Sequence, residues 1–223
     1  MGGLSVINIE REFISSNVTH KKSYAYLFIK RGMDITCSLI AIIILSPLLL
    51  ITAICIKLDS KGSVIFSQSR VGKNGKLFKM YKFRSMVSDA EDLLCKLKSK
   101  NEMSGPMFKM KCDPRITKVG KFIRKTSVDE LPQLFNILKG DMSIVGPRPN
   151  LPNEVEKFTS VQRQKLLVKP GLTCYWQVMG RSNIDFEDWM KLDLKYIRER
   201  NTWVDVKLIL KTVKVLFGDD GAM

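Results

Sequence analysis

The sequence predicts an α+β fold, mainly helical: a membrane-embedded N-terminal helix, then a β-hairpin, then a helical cytosolic domain with interfacial helices. Three observations predict it. Residues 35–56 form one uncharged apolar run, ITCSLIAIIILSPLLLITAICI. Residues 63–86 alternate apolar and polar side chains around Asn74-Gly75, the period and turn signal of a hairpin. Beyond them, apolar residues recur at helical spacing between Gly and Pro breaks. At 223 residues the chain has room for one main domain with accessories. The expected division is a polar tail at 1–20, a membrane segment at 21–60 and a cytosolic domain at 61–223.

The apolar run comes first. A straight helix of about 22 residues spans roughly 33 Å, the thickness of a hydrocarbon core. The stretch before it is too long and polar for a signal peptide. Ser46-Pro47 falls in its middle, where proline removes one backbone bond and crowds the preceding turn. Both flanks are basic, with Lys21, Lys22, Lys30 and Arg31 before it and Lys57 and Lys61 after it. Charge therefore sets no direction across a membrane, or holds both ends on the cytoplasmic side. A helix broken at Ser46-Pro47 that re-enters the same leaflet and a kinked spanning helix both satisfy these residues.

After the hairpin, residues 88–100 read as a charged helix. Residues 104–115 read as a loop broken by Gly105-Pro106 and Asp113-Pro114. Leu131, Leu134, Phe135 and Leu138 lie at i, i+3, i+4 and i+7 and predict an amphipathic helix ending near Gly140. Gly146-Pro147-Arg148-Pro149 forbids regular structure. Residues 153–167 read as one helix and 186–200 as another. In 204–217, Lys207, Lys211 and Lys214 share one face, with Val206, Ile209, Val213, Leu216 and Phe217 on another. That helix is either interfacial or an ordinary core helix with a solvated face.

Composition narrows the chemistry. Lys and Arg number 37 against 22 Asp and Glu, a net charge of +15, so the partners are anionic. No run of five basic residues occurs. The five cysteines (Cys37, Cys55, Cys95, Cys112, Cys174) form no CxxC and read as reduced, unpaired thiols. The one histidine, His20, lies in the tail, which excludes a His-dependent triad or a His-rich zinc site unless that residue takes part.

The residues left to act centre on Asp129-Glu130. Ser127-Val128-Asp129-Glu130 has the pattern of a capping box, with Ser127 as N-cap and Glu130 three residues on. Pro132 fits better if Asp129 is the cap. Either register puts both carboxylates at a helix N-terminus, where the free N–H groups and dipole also favour phosphate. A carboxylate there can act as a nucleophile and form an acyl phosphate. Its neighbour can hold a hard divalent cation beside substrate phosphates. Arg124, Arg148 and Arg181 can fork onto phosphate oxygens. Together with a membrane segment, these point to phosphoryl chemistry on a lipid.

At these residues the chain resembles the monotopic phosphoglycosyl transferases, the bacterial sugar transferases that start capsule, exopolysaccharide and O-antigen assembly. The resemblance runs from about residue 30 to 217. It rests on Lys30-Arg31 with Asp34, Ser46-Pro47, QSRVG at 68–72, YKFRSM at 81–86, DPRITKVG at 113–120, SVDELPQ at 127–133, KGDMSIVGPRP at 139–149, KPGLT at 169–173 and WQVMGR at 176–181. It implies transfer of a sugar 1-phosphate from a UDP-sugar to undecaprenyl phosphate with release of UMP. It implies a re-entrant helix broken at Ser46-Pro47, Asp129 as nucleophile and Glu130 as a ligand of Mg2+. Arg124, Arg148, Arg181, Lys82 and Asp193 are the implied phosphate- or substrate-binding positions. The implied place is the bacterial cytoplasmic membrane, with the catalytic domain on its cytoplasmic face. Further copies of the chain or downstream glycosyltransferases are possible partners. The family usually has glycine where this chain has Cys174, a cost to stability if the site needs φ > 0. The chain also resembles the family's minimal form, without the multi-helix N-terminal membrane domain.

Two other readings fit parts of the sequence. A basic membrane-tethered scaffold or nucleic-acid-binding protein accounts for the charge, but not for Asp129-Glu130, and no stacking or recognition-helix pattern accompanies it. Nucleic acid is therefore not expected as a partner. A lipid phosphatase shares the acid pair, with water as the final acceptor.

Overall fold

The computed structural model describes residues 23–97, 110, 112–179 and 184–218. His20, Arg181 and most of the 104–115 loop lie outside them. Among these residues the molecule is mainly helical, with two two-stranded sheets.

Helix α1 (Tyr24–Asp59) is 36 residues long, and Ser23 caps it by accepting from the amide of Ala25. Its helical run continues through Ser46 and Pro47. Pro47 cannot donate to the Ile43 carbonyl. Ser46 Oγ donates to that oxygen instead, at 2.8 Å, so the lost bond is replaced locally. One stripe of α1 is covered along its length: Tyr26, Asp34, Ser38, Thr52 and Ile56 are buried. Ile43, Ile44, Leu50, Ile51 and Ile54 are each more than half exposed, an apolar face too continuous for a helix bathed in water.

Both ends of α1 are fastened to the same domain. Near its start, Tyr26 Oη donates to Asp205 Oδ2 (2.9 Å), and Lys30 Nζ reaches Asp205 Oδ2 (3.0 Å), Tyr196 Oη (3.1 Å) and the Val145 carbonyl (2.9 Å). Asp34 accepts from Ser143 Oγ and the Ile144 amide, both at 2.9 Å. At the far end Ile56 packs with Phe83 and Ile123, and Asp59 accepts from the Val119 amide at 3.1 Å.

The hairpin forms as its alternation predicts. Strands β1 (Ile65–Val71) and β2 (Leu77–Phe83) pair antiparallel, from Ile65↔Phe83 to Val71↔Leu77. Asn74 (φ 56°) and Gly75 (φ 79°) supply the left-handed turn that Asn-Gly tolerates. Helix α2 (Ala90–Leu97) and α3 (Lys118–Lys125) follow, the latter capped by Thr117. Helix α4 (Gln133–Lys139) ends on Gly140 at φ 91°.

The inner face of α4 differs from the expected stripe. Leu134 and Ile137 are buried, but so are Gln133 and Asn136, while Phe135 is 45% exposed. The reason is the edge of β2. Asn136 accepts from the Tyr81 amide (2.9 Å) and donates to the Lys79 carbonyl (2.8 Å). An amide side chain thus satisfies backbone groups that an apolar one would leave unpaired.

Strands β3 (Ser143–Val145) and β4 (Gly171–Thr173) pair in parallel, a contact the sequence does not announce. A Cβ on Gly146 would stand 2.6 Å from the Lys169 carbonyl oxygen, so only glycine permits this approach. The single helix expected over 153–167 is three pieces: α5 (Pro152–Val155), α6 (Ser160–Arg163) and a 3-10 turn at Gln164–Leu167. Thr159 and Gln162 form a capping box that starts a new helix. Helix α7 (Tyr175–Met179), α8 (Phe186–Glu199) and α9 (Thr202–Gly218) are the last of the described elements.

On α9 the buried residues include Asp205 and Leu208. Val213, expected on the apolar inner face, is 48% exposed, with Trp203 and Leu210 at 64%. The outer face is therefore mixed apolar and basic. Cys174 is not strained: among the described residues only Asn74 and Ser127 are non-glycine positions with positive φ. Its side chain instead packs into the main core with Met80, Ile137 and Tyr196.

Candidate active site

The acid pair sits between two helices. After α3 the chain reverses at Ser127, whose φ is 57°, and Val128–Glu130 form a single 3-10 turn. Ser127 makes no side-chain cap, and the N-cap position of α4 belongs to Pro132. Neither expected capping register holds. The carboxylates stand on a tight turn ahead of the helix, because the left-handed Ser127 turns the chain before α4 begins.

Strand β2 supplies the first cation. Lys82 Nζ lies 2.7 Å from Glu130 Oε1 and 4.0 Å from Asp129 Oδ2. Arg148 supplies the second, with Nη1 at 3.2 Å from the same Glu130 oxygen. Arg148 is set by Pro147 and Pro149, lies 5.5 Å from the centre of the Trp176 ring, and belongs to a loop pinned at both sides. The Val71 amide donates to the Asn150 carbonyl (2.9 Å), and Arg70 donates to the Pro149 carbonyl (3.3 Å). Glu130 thus receives two cations on one oxygen, and among the described residues Asp129 has no cation closer than 4.0 Å.

The two carboxyls are pushed apart in acidity. Burial raises Asp129 above its ordinary 3.8, and the adjacent Glu130 adds to the rise; Lys82, Arg124 and Arg148 oppose it without prevailing. Burial also raises Glu130, but there Lys82 and Arg148 outweigh it and hold the group below the ordinary carboxylate range. Such divergence between neighbours marks different roles. Glu130 is a fixed anion, and Asp129 keeps its lone pairs out of close ion pairs.

The other predicted positions divide. Arg124, in the last turn of α3, is exposed and close enough to lower both Asp129 and Asp113. Arg181 lies outside the described residues. Asp193 is not at the acid pair. It is fully buried and pairs with Lys165 at 2.7 Å. Lys165 donates to Asn150 Oδ1 (2.7 Å), and Asn150 donates to Glu154 (3.0 Å). Asp193 therefore braces the loop that carries Arg148 through Lys165 and Asn150. One residue escaped sequence reasoning. Arg70 stands behind Arg148, its pKa lowered to about 10, chiefly by burial and then by Arg148. Its only signal was its place in QSRVG.

A family model for the bacterial sugar transferases matches residues 25–219. The chain belongs to that family. The chain is 48% identical over 221 residues to the galactosyl transferase CpsE of Streptococcus agalactiae, covering 99% of this chain and 47% of that protein. It is 42% identical over 233 residues to the undecaprenyl-phosphate galactose phosphotransferase of Salmonella typhimurium, covering 99% of this chain and 48% of that one. The exopolysaccharide production protein ExoY of Rhizobium meliloti is 36% identical over 188 residues, 82% of this chain and 83% of ExoY. The chain thus spans about half the length of the first two relatives.

The acid pair also fits a divalent cation. Among the described residues no group of three or more His, Cys, Asp and Glu side chains gathers, so an all-protein cage is not formed there. Mg2+ commonly needs only one or two carboxylates beside substrate phosphates. Both cations engage Glu130 Oε1, so Glu130 would still have its second oxygen with which to hold such an ion.

Proposed function

We propose that this sugar transferase moves a sugar 1-phosphate from a UDP-sugar to undecaprenyl phosphate, releasing UMP, as the first membrane step of exopolysaccharide, capsule or O-antigen assembly. The observation that carries the reading is the division of labour in the acid pair. Glu130 absorbs Lys82 and Arg148, and the buried Asp129 beside it is left free to attack.

The reaction follows in two displacements. Asp129 attacks the sugar-bearing phosphorus of the donor, its bond to the UMP oxygen breaks, and UMP leaves with that electron pair. A phosphate oxygen of the lipid then attacks the same phosphorus and returns Asp129 as a carboxylate. Arg148, Lys82 and Arg124 supply the positive field in which phosphate charge shifts during each step. Glu130 would hold Mg2+, which when bound neutralises diphosphate charge. Glu130 keeps Lys82 and Arg148 in place. The buried brace behind Asn150 holds the Arg148 loop against recoil.

We read α1 as re-entrant at Ser46-Pro47, with both ends and the catalytic domain on the cytoplasmic face of a bacterial membrane. A spanning helix would carry its two ends to opposite sides of a core about 30 Å thick. Here Lys30 and Asp34 at one end, and Ile56 and Asp59 at the other, meet one domain. The exposed aliphatic face between them suits lipid.

The test is product identity. Purified protein with undecaprenyl phosphate, Mg2+ and a panel of UDP-sugars should convert one of them into an organic-extractable undecaprenyl diphosphate sugar. Release of UMP with free sugar phosphate and no lipid product would make the protein a hydrolase instead.

A further inference from the structure

A second cationic site lies at the foot of α1. Arg31 donates to the Ile137 and Leu138 carbonyls (2.7 and 2.8 Å) at the C-terminal end of α4, whereas the acid pair precedes its N-terminal end. The length of α4, about 10 Å, therefore separates the two places. A cleft of about 210 Å³ opens here, lined by Lys30, Arg31, Lys73, Lys169 and Arg200 with one carboxylate, Asp34.

That positive charge is only partly offset from within. Lys30 is paired with Asp205, but Arg31 is held by neutral carbonyls, and Asp34 already accepts from Ser143 and Ile144. Lys73 and Lys169 form no side-chain hydrogen bond or ion pair among the described residues. Arg200 Nε is buried without a hydrogen-bond partner. Lys169 Nζ and Arg31 Nη2 both come within 3.5 Å of where a Cβ on Gly140 would stand. Burial lowers the pKa of Lys169, and repulsion from Arg31 and Lys73 adds to it against the attraction of Asp34 and Asp141. A bound anion would relieve that repulsion. The cleft is also bordered by apolar surface: Leu27 lines it, and Tyr24 (85% exposed) and Phe28 (81%) stand on the same end of α1.

We propose that this cleft holds the phosphate of an anionic phospholipid, at a lipid site separate from the reaction centre. The cations take the headgroup, and the exposed face of α1 takes the chains. The proposal rests on the membrane reading of α1 and not on the transfer chemistry.

Native mass spectrometry tests it on the full chain recovered from vesicles of phosphatidylglycerol and phosphatidylcholine in a one-to-four ratio. The expected result is one retained phosphatidylglycerol, with retention weakened at least about tenfold in Lys73→Gln/Lys169→Gln. Retention should be unchanged in Lys157→Gln/Lys191→Gln, which removes the same charge from exposed sites elsewhere. Lys73→Arg/Lys169→Arg should keep the lipid, so loss through misfolding is separable from loss of charge. Equal retention by the two glutamine variants would overturn the proposal. Displacement by inorganic phosphate at concentrations matching the lipid would make it a free-phosphate site, and preferential displacement by farnesyl phosphate would make it the acceptor's own site; either overturns it. If the wild type fails to enter pure phosphatidylcholine vesicles, the membrane reading of α1 fails and this proposal with it.

Discussion

Asp129 and Glu130 are adjacent in sequence and opposite in state, and that difference makes predictions at single residues. Asp129→Asn keeps shape and hydrogen-bonding capacity but removes the attacking oxygen charge. Turnover should fall roughly a thousandfold or more, read as the rate of lipid-linked product; near wild-type transfer would return the pair to a structural role. The acidity of Asp129 is testable through Arg124. Attack needs the carboxylate, whose pKa stands above 3.8 because of burial, while Arg124 pulls it down. Arg124→Gln removes that pull, so the acid limb of the UMP-release profile should move to higher pH. An unmoved limb would mean that Asp129 does not control it. The pair itself was legible in the sequence, since its chemistry needs only residue types and neighbours. Its geometry was not. A left-handed Ser127 breaks the capping pattern in a way that local preference does not announce, because serine seldom adopts that conformation.

Between elements, the braces behind Arg148 govern the site. Asp193→Asn leaves Lys165 buried with its 2.7 Å partner neutralised, and removing one partner of such a pair costs about 3–5 kcal/mol. Thermal unfolding should show that loss, and Lys165→Met/Asp193→Leu should recover most of it. A fully stable Asp193→Asn that has lost donor affinity would instead place Asp193 against substrate. The β3–β4 junction is the second brace. An alanine at Gly171 would drive its Cβ into the Gly146 backbone, and overpacking of this kind costs about 1–3 kcal/mol or more. Gly171→Ala should lower both the melting temperature and turnover, because β3 leads directly into Pro147-Arg148-Pro149. Elements with local signals were readable: the hairpin from its alternation and Asn-Gly, and the end of α4 from Gly140. The three-residue parallel pair joins segments far apart in sequence, where no local period exists. The burial of Asn136 was not readable either, because the β2 edge that it satisfies is 55 residues away.

At the scale of the whole molecule, one domain receives both ends of α1. Cysteine-accessibility labelling near Arg31 and Lys61 in intact cells should find both protected from outside; labelling of either end from outside would contradict the re-entrant reading. Pro47→Ala should move part of the population toward a spanning helix, because it restores the backbone donor missing at position 47. The apolar segment and the overall order of helix, hairpin and helical domain were legible from composition and period. The way α1 lies on the domain was not, because that docking depends on Lys30, Asp34 and Asp59 finding Asp205, Ser143 and Val119. What unites the scales is the claim that Asp129 carries the sugar phosphate between donor and lipid. Intact-protein mass spectrometry after mixing the enzyme with its UDP-sugar and Mg2+, without lipid acceptor, tests it most directly. The account predicts about one equivalent of UMP and a protein heavier by one sugar phosphate, absent in Asp129→Asn and discharged by undecaprenyl phosphate. An active enzyme that forms no adduct, and releases UMP only once the lipid is added, would contradict it.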